Sequence, residues 1–473
     1  MSWNKLYASI ISKEVNMDIQ INNSEIIIKD YTQDYANKLH EILSYTDKSK
    51  QYQIKKMSHN PFSRNSELYK KLVANQKGTL VNEQDGTITI PSGFAYLFKN
   101  ENIIDNRMDT GAPIAFPWKN KPHDMRDYQV EANTLMSNNY RGLINFATGL
   151  GKTLTAIYAI RNTKRKALII CPTKGIADNF YQELCSAFGD NRIGYFGGGK
   201  KKINDITVGI AASVNNHIDK FVEHDLGLVI VDEVHHLAAD TFFTIAKSLS
   251  GVGRVFGLTA TDFRADGKDI MINAGVGEVI IKRDIIWGID NKWLAYPNIV
   301  IRDVDTTGKD YFDDKNKNYK AHVLNSIEMN ERIIKDIQKC LGASKSVLCL
   351  VDEKEHGRML SEALGLPFAT SDDKNSLEYI KQLNLGTIPG LIGTDSLVGE
   401  GCDTKNVDVL VLANFVAGKG PLYQNLGRGL RKQGTKTSVL ILDYKPCGSK
   451  MLSRHAQQRL KIYRAITGSV KEV

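Results

Sequence analysis

From Arg141 onward the chain alternates short, fully apolar runs with amphipathic stretches, the pattern of a parallel sheet covered by helices. The runs Gly142 to Phe146, Ala167 to Cys171, Ile206 to Ala211, Leu226 to Val231 and Val255 to Leu258 predict one series of strands. A second series follows at Ser346 to Val351, Pro389 to Gly393, Val407 to Leu412 and Ser438 to Leu442. Two α/β units in tandem account for both. Asn291 to Lys320, rich in Asp, Asn and Lys, reads as a surface connection or an insertion between them. A helix is expected from Glu328, with Met329, Ile333, Ile337 and Leu341 along one face. Residues 1 to 118 show short β-like runs such as Glu25 to Ile28 and Thr87 to Ile90, an Asp85-Gly86 turn and no βαβ rhythm, which predicts a separate small α+β domain. Pro113, Pro117 and Pro122 mark the linker that follows it. The expected domains are therefore 1–118, 119–298 and 299–473.

The 473 residues suffice for about three domains at roughly 150 residues each. Hydrophobic residues are 42% and charged residues 24%, which excludes a disordered or collagen-like chain. The net charge of +9 favours a polyanionic partner, although many enzymes are merely basic. Six scattered cysteines without a CxxC pair read as reduced structural thiols. With no signal-like start and no apolar stretch of membrane-spanning length, the expectation is a cytoplasmic protein.

Ala147-Thr148-Gly149-Leu150-Gly151-Lys152-Thr153 follows a strand and precedes an amphipathic segment. Backbone N–H groups of such a loop can wrap phosphate oxygens, Lys152 can reach the β and γ phosphates, and the Thr153 hydroxyl can hold Mg²⁺. Phe146 stands where the usual phosphate-loop pattern has its first glycine. Further on, the apolar strand Leu228 to Val231 runs into Asp232-Glu233-Val234-His235. Two carboxylates at a strand's C-terminal end suit Asp232 to bind Mg²⁺ through water and Glu233 to orient and deprotonate an attacking water. The hydroxyls of Thr259 and Thr261 end another strand and could hydrogen-bond the acidic pair. In Gln424 to Arg431, Arg428 and Arg431 share one helical face and can neutralise charge that develops in phosphoryl transfer. Taken singly, each piece has a plain alternative: a glycine turn, an acidic surface turn or a solvated basic helix.

Over about residues 122 to 465 the sequence resembles the superfamily 2 helicases. Arg126-Asp127-Tyr128-Gln129 is similar to their adenine-reading Gln motif, Ala147 to Thr153 to motif I, and Pro172-Thr173-Lys174 to motif Ia. Asp232 to His235 is similar to a DEVH form of motif II, and Thr259 to Thr261 to motif III. Gly393-Thr394-Asp395 through Glu400-Gly401-Cys402-Asp403 resembles motif V, and Gln424 to Arg431 motif VI. Within the superfamily, Thr261 to Gly267 resembles a string of the branch-migration and repair helicases, phage proteins of the UvsW kind among them, with Asp262 in place of its proline. Leu294 to Pro297, Asn330-Glu331-Arg332 and Ile90-Pro91-Ser92-Gly93-Phe94 are similar to other strings of that group.

The resemblance implies two tandem RecA-like parallel-sheet domains behind a small N-terminal α+β domain. It implies ATP and Mg²⁺ as cofactors, with Arg126, Gln129, Thr148, Gly149, Leu150, Gly151, Lys152, Thr153, Gly401 and Asp403 at the nucleotide and Lys152, Asp232, Glu233, Gln424, Arg428 and Arg431 in hydrolysis. His235, Thr259 and Thr261 would couple ATP to the nucleic acid. The implied activity is ATP-dependent remodelling of branched DNA by a monomer, with single-stranded and branched DNA as partner. An RNA helicase shares this engine, and a silent binding protein on a decayed ATPase fold is the rival from another class. Lys200, Lys201 and Lys202 stand where the family contacts the strand backbone, or else form a solvated loop. A second basic segment, with Lys55 and Lys56 among eight cations between residues 48 and 77 and with Tyr52, Phe62 and Tyr69 interleaved, is a candidate junction grip. The C-terminal stretch with Arg454, His455, Arg459, Lys461 and Arg464 reads as a packed amphipathic helix.

Overall fold

The computed structural model describes residues 17–473 apart from 59, 65, 99–102, 238, 261–268, 313, 374, 395–403, 405, 433 and 435. The chain divides into two compact units, Met1–Phe146 with Lys152–Lys282, and Ala147–Gly151 with Arg283–Val473.

The first unit opens with a five-stranded sheet of β1 (Asp18–Ile21), β2 (Glu25–Lys29), β3 (Asn82–Gln84), β4 (Thr87–Pro91) and β5 (Ile103–Asp105), in the order β3-β4-β2-β1-β5. Alternation of buried and open positions in β2 and β4 buries Ile26, Ile28, Ile88 and Ile90 on one face. Asp85 and Gly86 both take positive φ, +50° and +70°, as the tight β3-β4 hairpin requires. The basic segment forms exposed-sided helices, chiefly α2 (Lys48–Ser58) and α3 (Glu67–Ala74) with one short turn at Pro61–Arg64 between them, after α1 (Gln33–Ile42).

The same unit holds an eight-stranded sheet whose inner strands are buried on both faces, the reason each is a continuous apolar run. Its strands are β6 (Arg141–Phe146), β7 (Ala167–Cys171), β8 (Ile193–Gly197), β9 (Lys200–Lys202), β10 (Ile206–Ile210), β11 (Leu228–Val231), β12 (Arg254–Thr259) and β13 (Val279–Arg283), ordered β9-β8-β10-β7-β11-β12-β6-β13. Helices α4 (Asp127–Asn138), α5 (Lys152–Thr163), α6 (Lys174–Phe188) and α7 (Asp269–Val276) accompany it. The small sheet is built onto this one. A Cβ on Gly93 would lie 2.1 Å from Asn273 O and 2.4 Å from Ala274 O, so the Ile90 to Phe94 string presses its backbone directly on α7. Arg141, deeply buried without a carboxylate, donates to the carbonyls of Asn23, Ser250 and Gly275, and burial lowers its pKa to about 10.

The second unit carries a seven-stranded sheet of β14 (Tyr296–Val304), β15 (Val347–Val351), β16 (Phe368–Ala369), β17 (Gly390–Thr394), β18 (Val409–Ala413), β19 (Ser438–Pro446) and β20 (Lys471–Glu472), ordered β16-β17-β15-β18-β19-β14-β20, whose neighbouring strands run parallel. Its helices include α8 (Lys315–Tyr319), which runs into a π turn at Lys320–Leu324, α9 (Ile327–Gly342), α10 (Lys354–Leu364), α11 (Ser376–Leu385), α12 (Lys419–Gly429) and α13 (Lys450–Thr467). One expectation needs correction: the polar stretch from Asn291 contains β14, which pairs with β19 along nine residues and is no mere connection. The packed amphipathic helix expected at the C-terminal stretch is α13, and within it Arg459 is 1% exposed, ion-paired with Asp443 at 2.7 Å and bonded to the carbonyls of Val416 and Tyr444. The first unit thus holds the small α+β part and one of the two α/β sheets that the sequence predicts, and the second unit holds the other.

Candidate active site

In the first unit, Lys152 begins α5 and Asp232 directly follows β11, so both reach the C-terminal end of the large sheet. Lys152 Nζ lies 3.1 Å from Glu233 Oε1 and donates to Phe146 O at 3.3 Å. Glu233 takes φ +43°, a left-handed turn that lets it and Asp232 leave the strand end in different directions. Glu233 Oε2 lies 3.5 Å from His235 Nδ1, and that nitrogen lies 2.7 Å from Thr259 Oγ1 at the end of β12. Four residues from four chain positions therefore form one polar line: Lys152, Glu233, His235, Thr259.

Asp232 stands beside that line. It is buried, and its Oδ1 has no hydrogen-bond partner among the described residues. Burial first, and the neighbouring Glu233 carboxylate second, push its pKa up to about 7, against a smaller lowering by Lys152. Lys152 offsets this buried acid only in part, and a divalent cation would supply the further positive charge.

Helix α4 sets Gln129 next to the helix that Lys152 starts. Gln129 is buried, its Oε1 accepts from Arg126 N at 2.9 Å, and Asn133 Nδ2 on the following turn donates to both Gln129 O and Thr155 O at 3.2 Å. Arg126 Nη1 donates to the Tyr128 hydroxyl at 2.9 Å. Thr153 is half-buried on the first turn of α5.

The loop Ala147–Gly151 groups with the second unit. Gly149 and Gly151 take φ +90° and +79°, which a side chain would resist. A Cβ on Gly427, in α12, would lie 2.5 Å from Thr148 Cβ, and one on Gly149 would lie 3.1 Å from Arg431 Cγ. Leu150 is buried. Arg428 is buried too and donates to Asn425 Oδ1 at 3.0 Å, whereas Arg431 and Gln424 are half-buried. Of the other residues singled out by sequence, Thr261, Gly401 and Asp403 lie outside the described residues, as do the strings 261–268 and 395–403 around them.

Lys200, Lys201 and Lys202 form the edge strand β9, a hairpin with β8 through Gly198 and Gly199, and all three are exposed. Lys200 Nζ sits 5.1 Å over the Tyr195 ring, and Lys201 Nζ lies 3.3 Å from His217 Nε2. Lys55 and Lys56 are exposed on α2, where Tyr52 is 71% exposed.

Sequence reasoning missed Asn414. It directly follows β18, is wholly buried, and neither amide atom has a hydrogen-bond partner among the described residues. A polar residue right after an apolar parallel strand is the signal that found Asp232, and it was available here.

Residues 122–264 match the family model described as type III restriction enzyme, res subunit. A curated relative, a putative DNA 3'-5' helicase Rad25 from Halobacterium salinarum, is 27% identical over 72% of this chain, which spans only 56% of that protein's length. Dbp5 of S. cerevisiae, solved with RNA and ADP BeF3, superposes with TM-score 0.54 at 13% identity over 75% of this chain and 90% of its own, a likeness of fold. The T4 UvsW crystal structure aligns over 97% of this chain and 99% of its own at 18% identity, with TM-score 0.44.

Proposed function

We propose that this superfamily 2 chain is an ATP-dependent DNA helicase or translocase that remodels branched DNA such as forks and four-way junctions. The observation that carries the reading is the polar line from Lys152 through Glu233 and His235 to Thr259, with the only partly compensated Asp232 beside it. Lys152 neutralises phosphate charge at the N-terminus of α5, and Glu233 holds and deprotonates the attacking water. His235 and Thr259 tie the water-orienting acid to the end of β12, the strand that leads toward the motif III string, so strand binding can alter the position of Glu233. Asp232 and Thr153 are the residues suited to Mg²⁺, which supplies charge neutralisation at the phosphates; the unpartnered Asp232 oxygen and its raised pKa fit that cation.

Arg428 and Arg431 act on the transferring phosphoryl group, with Gln424, Gly401 and Asp403 at the same nucleotide, and Arg126 with Gln129 reading the base. Residues 1–118 serve as an accessory DNA-binding domain, and 119–298 and 299–473 as the two motor domains. Lys200, Lys201 and Lys202 follow the backbone of the bound strand. Restriction to DNA is supported by the matched relative named as a putative DNA 3'-5' helicase, and branched substrates by the resemblance of the 261–267 string.

ATPase and unwinding measured side by side on single-stranded DNA, RNA, duplexes, forks and four-way junctions test the proposal. Greatest stimulation by forks or junctions supports it, and stimulation by RNA alone overturns it.

A further inference from the structure

Leu294, the first residue of the string Leu294 to Pro297, is 1% exposed and joins two parts of the site that lie far apart in sequence. Its side chain packs on the phosphate loop. A Cβ on Gly149 would lie 3.0 Å from Leu294 Cδ2 and 3.1 Å from Arg431 Cγ, so both side chains rest on the face that this glycine leaves bare. Behind it, a Cβ on Gly288 of the short helix Ile285–Asp290 would lie 2.8 Å from Leu294 Cδ1 and 3.2 Å from Cδ2 of the buried Leu150. Leu294 and Leu150 thus pack together over a second glycine.

The main chain of the same residue is tied to the arginine. Leu294 forms an antiparallel bridge with Arg431, Ala295 N donates to Leu430 O at 2.8 Å, and Lys432 Nζ donates to Lys292 O at 2.6 Å. Leu294 N donates to Gly288 O at 2.9 Å, which fixes the segment on the short helix. A leucine that served the core alone would need only apolar neighbours. This one has the phosphate loop on its side chain and Arg431 on its backbone, and protein interiors are packed too tightly for such a spacer to shift without moving both. Arg431 can neutralise charge on a transferring phosphoryl group only if it is held at the right distance from the loop that cradles the phosphates. A displacement of about 1 Å in such a site costs about 10²-fold in rate.

We propose that Leu294 is a positioning residue for ATP hydrolysis, a spacer that sets the distance between the phosphate loop and Arg431. The inference rests on the reading of Arg431 as the arginine that acts on the transferring phosphoryl group, and it adds a residue that itself touches no substrate. The test is a double-mutant cycle on the full chain, with phosphate release measured over a range of ATP concentrations in single-stranded DNA for wild type, L294A, R431A and the double variant, and with L294M as the conservative replacement. A spacer predicts that L294A lowers kcat about 10²-fold while KM stays within about threefold, because the loop is still held between β6 and α5. L294M, of similar volume, should regain most of the loss. Once Arg431 is gone, L294A should cost nothing further. Wild-type kcat in L294A overturns the proposal, as does a loss confined to KM. The same 10²-fold loss in the R431A background as in wild type also overturns it, and marks Leu294 as a plain core residue. Should L294A fail to fold, L294V takes its place in the same cycle. An R431A chain that turns over like wild type overturns the reading of Arg431 itself, and this inference with it.

Discussion

The ammonium of Lys152 and the carboxylate of Glu233 stand 3.1 Å apart, so the cation that opens α5 and the acid that follows β11 neutralise each other within the first unit. Breaking the pair from either side has opposite consequences for nucleotide binding. Glu233→Gln releases Lys152 toward phosphate, so ATP binds at least as tightly as to wild type, while turnover falls by about 10² to 10⁴ for loss of the base. Lys152→Ala loses both binding and turnover. Equilibrium binding of a fluorescent ATP analogue beside phosphate release checks the contrast.

Asp232 gives a pH signature. Its folded pKa of about 7 lies above the ordinary carboxylate value near 3.8, so between those values the folded chain holds a proton that the unfolded chain has lost. Folding stability from this group is therefore full below pH 4 and is lost as pH rises through 7. In EDTA, Asp232→Asn should melt higher than wild type at pH 8, with the gap closing toward pH 4.5. Thermal melts across that range check it; a gap of constant size would mean that Asp232 is not held protonated by its surroundings.

For the arginines, burial separates two roles. Arg428 is buried and bonded to Asn425, whereas Arg431 is half-buried. Arg431→Ala should cut turnover about 10³-fold with little change in melting temperature or ATP affinity. Arg428→Ala should lower turnover and the melting temperature together. An Arg431 variant that loses stability and turnover alike would mark it as a structural residue.

The extent to which these features were legible follows from what each pattern encodes. Strands such as Ala167–Cys171 and Val347–Val351 are buried on both faces, and the demand for continuous apolar sequence made them readable nearly to the residue. Strand β14 is half-open, with Asn298 exposed and Val300 part-buried between the buried Pro297, Ile299 and Ile301; its period of two was present, but the surrounding charge masked it. Arg459 was hidden for a related reason. A cation on an amphipathic helix reads as solvated until the chain brings Asp443 to it from sixteen residues away. Sequence spacing identified Lys152, Asp232 and Glu233, but the His235 to Thr259 link depends on which strands are neighbours, and β11 beside β12 is a fact of three-dimensional order.

Lys55 and Lys56 project from α2, and Tyr52 stands open on the same helix. If these groups grip a junction, Lys55→Glu with Lys56→Glu should weaken junction binding and reduce the slope of log affinity against log salt by about 1 to 2. ATPase stimulated by single strands should stay near wild type. Junction affinity that is unchanged across a salt series would remove α2 from the DNA path.

If Glu233 and its partners hydrolyse ATP in response to DNA, steady-state phosphate release by the wild-type chain and by Glu233→Gln, with and without single-stranded DNA, shows it. DNA should raise wild-type turnover, and Glu233→Gln should show almost none in either condition. Wild-type turnover indifferent to DNA, or a Glu233→Gln chain that hydrolyses ATP like wild type, would overturn the proposed function.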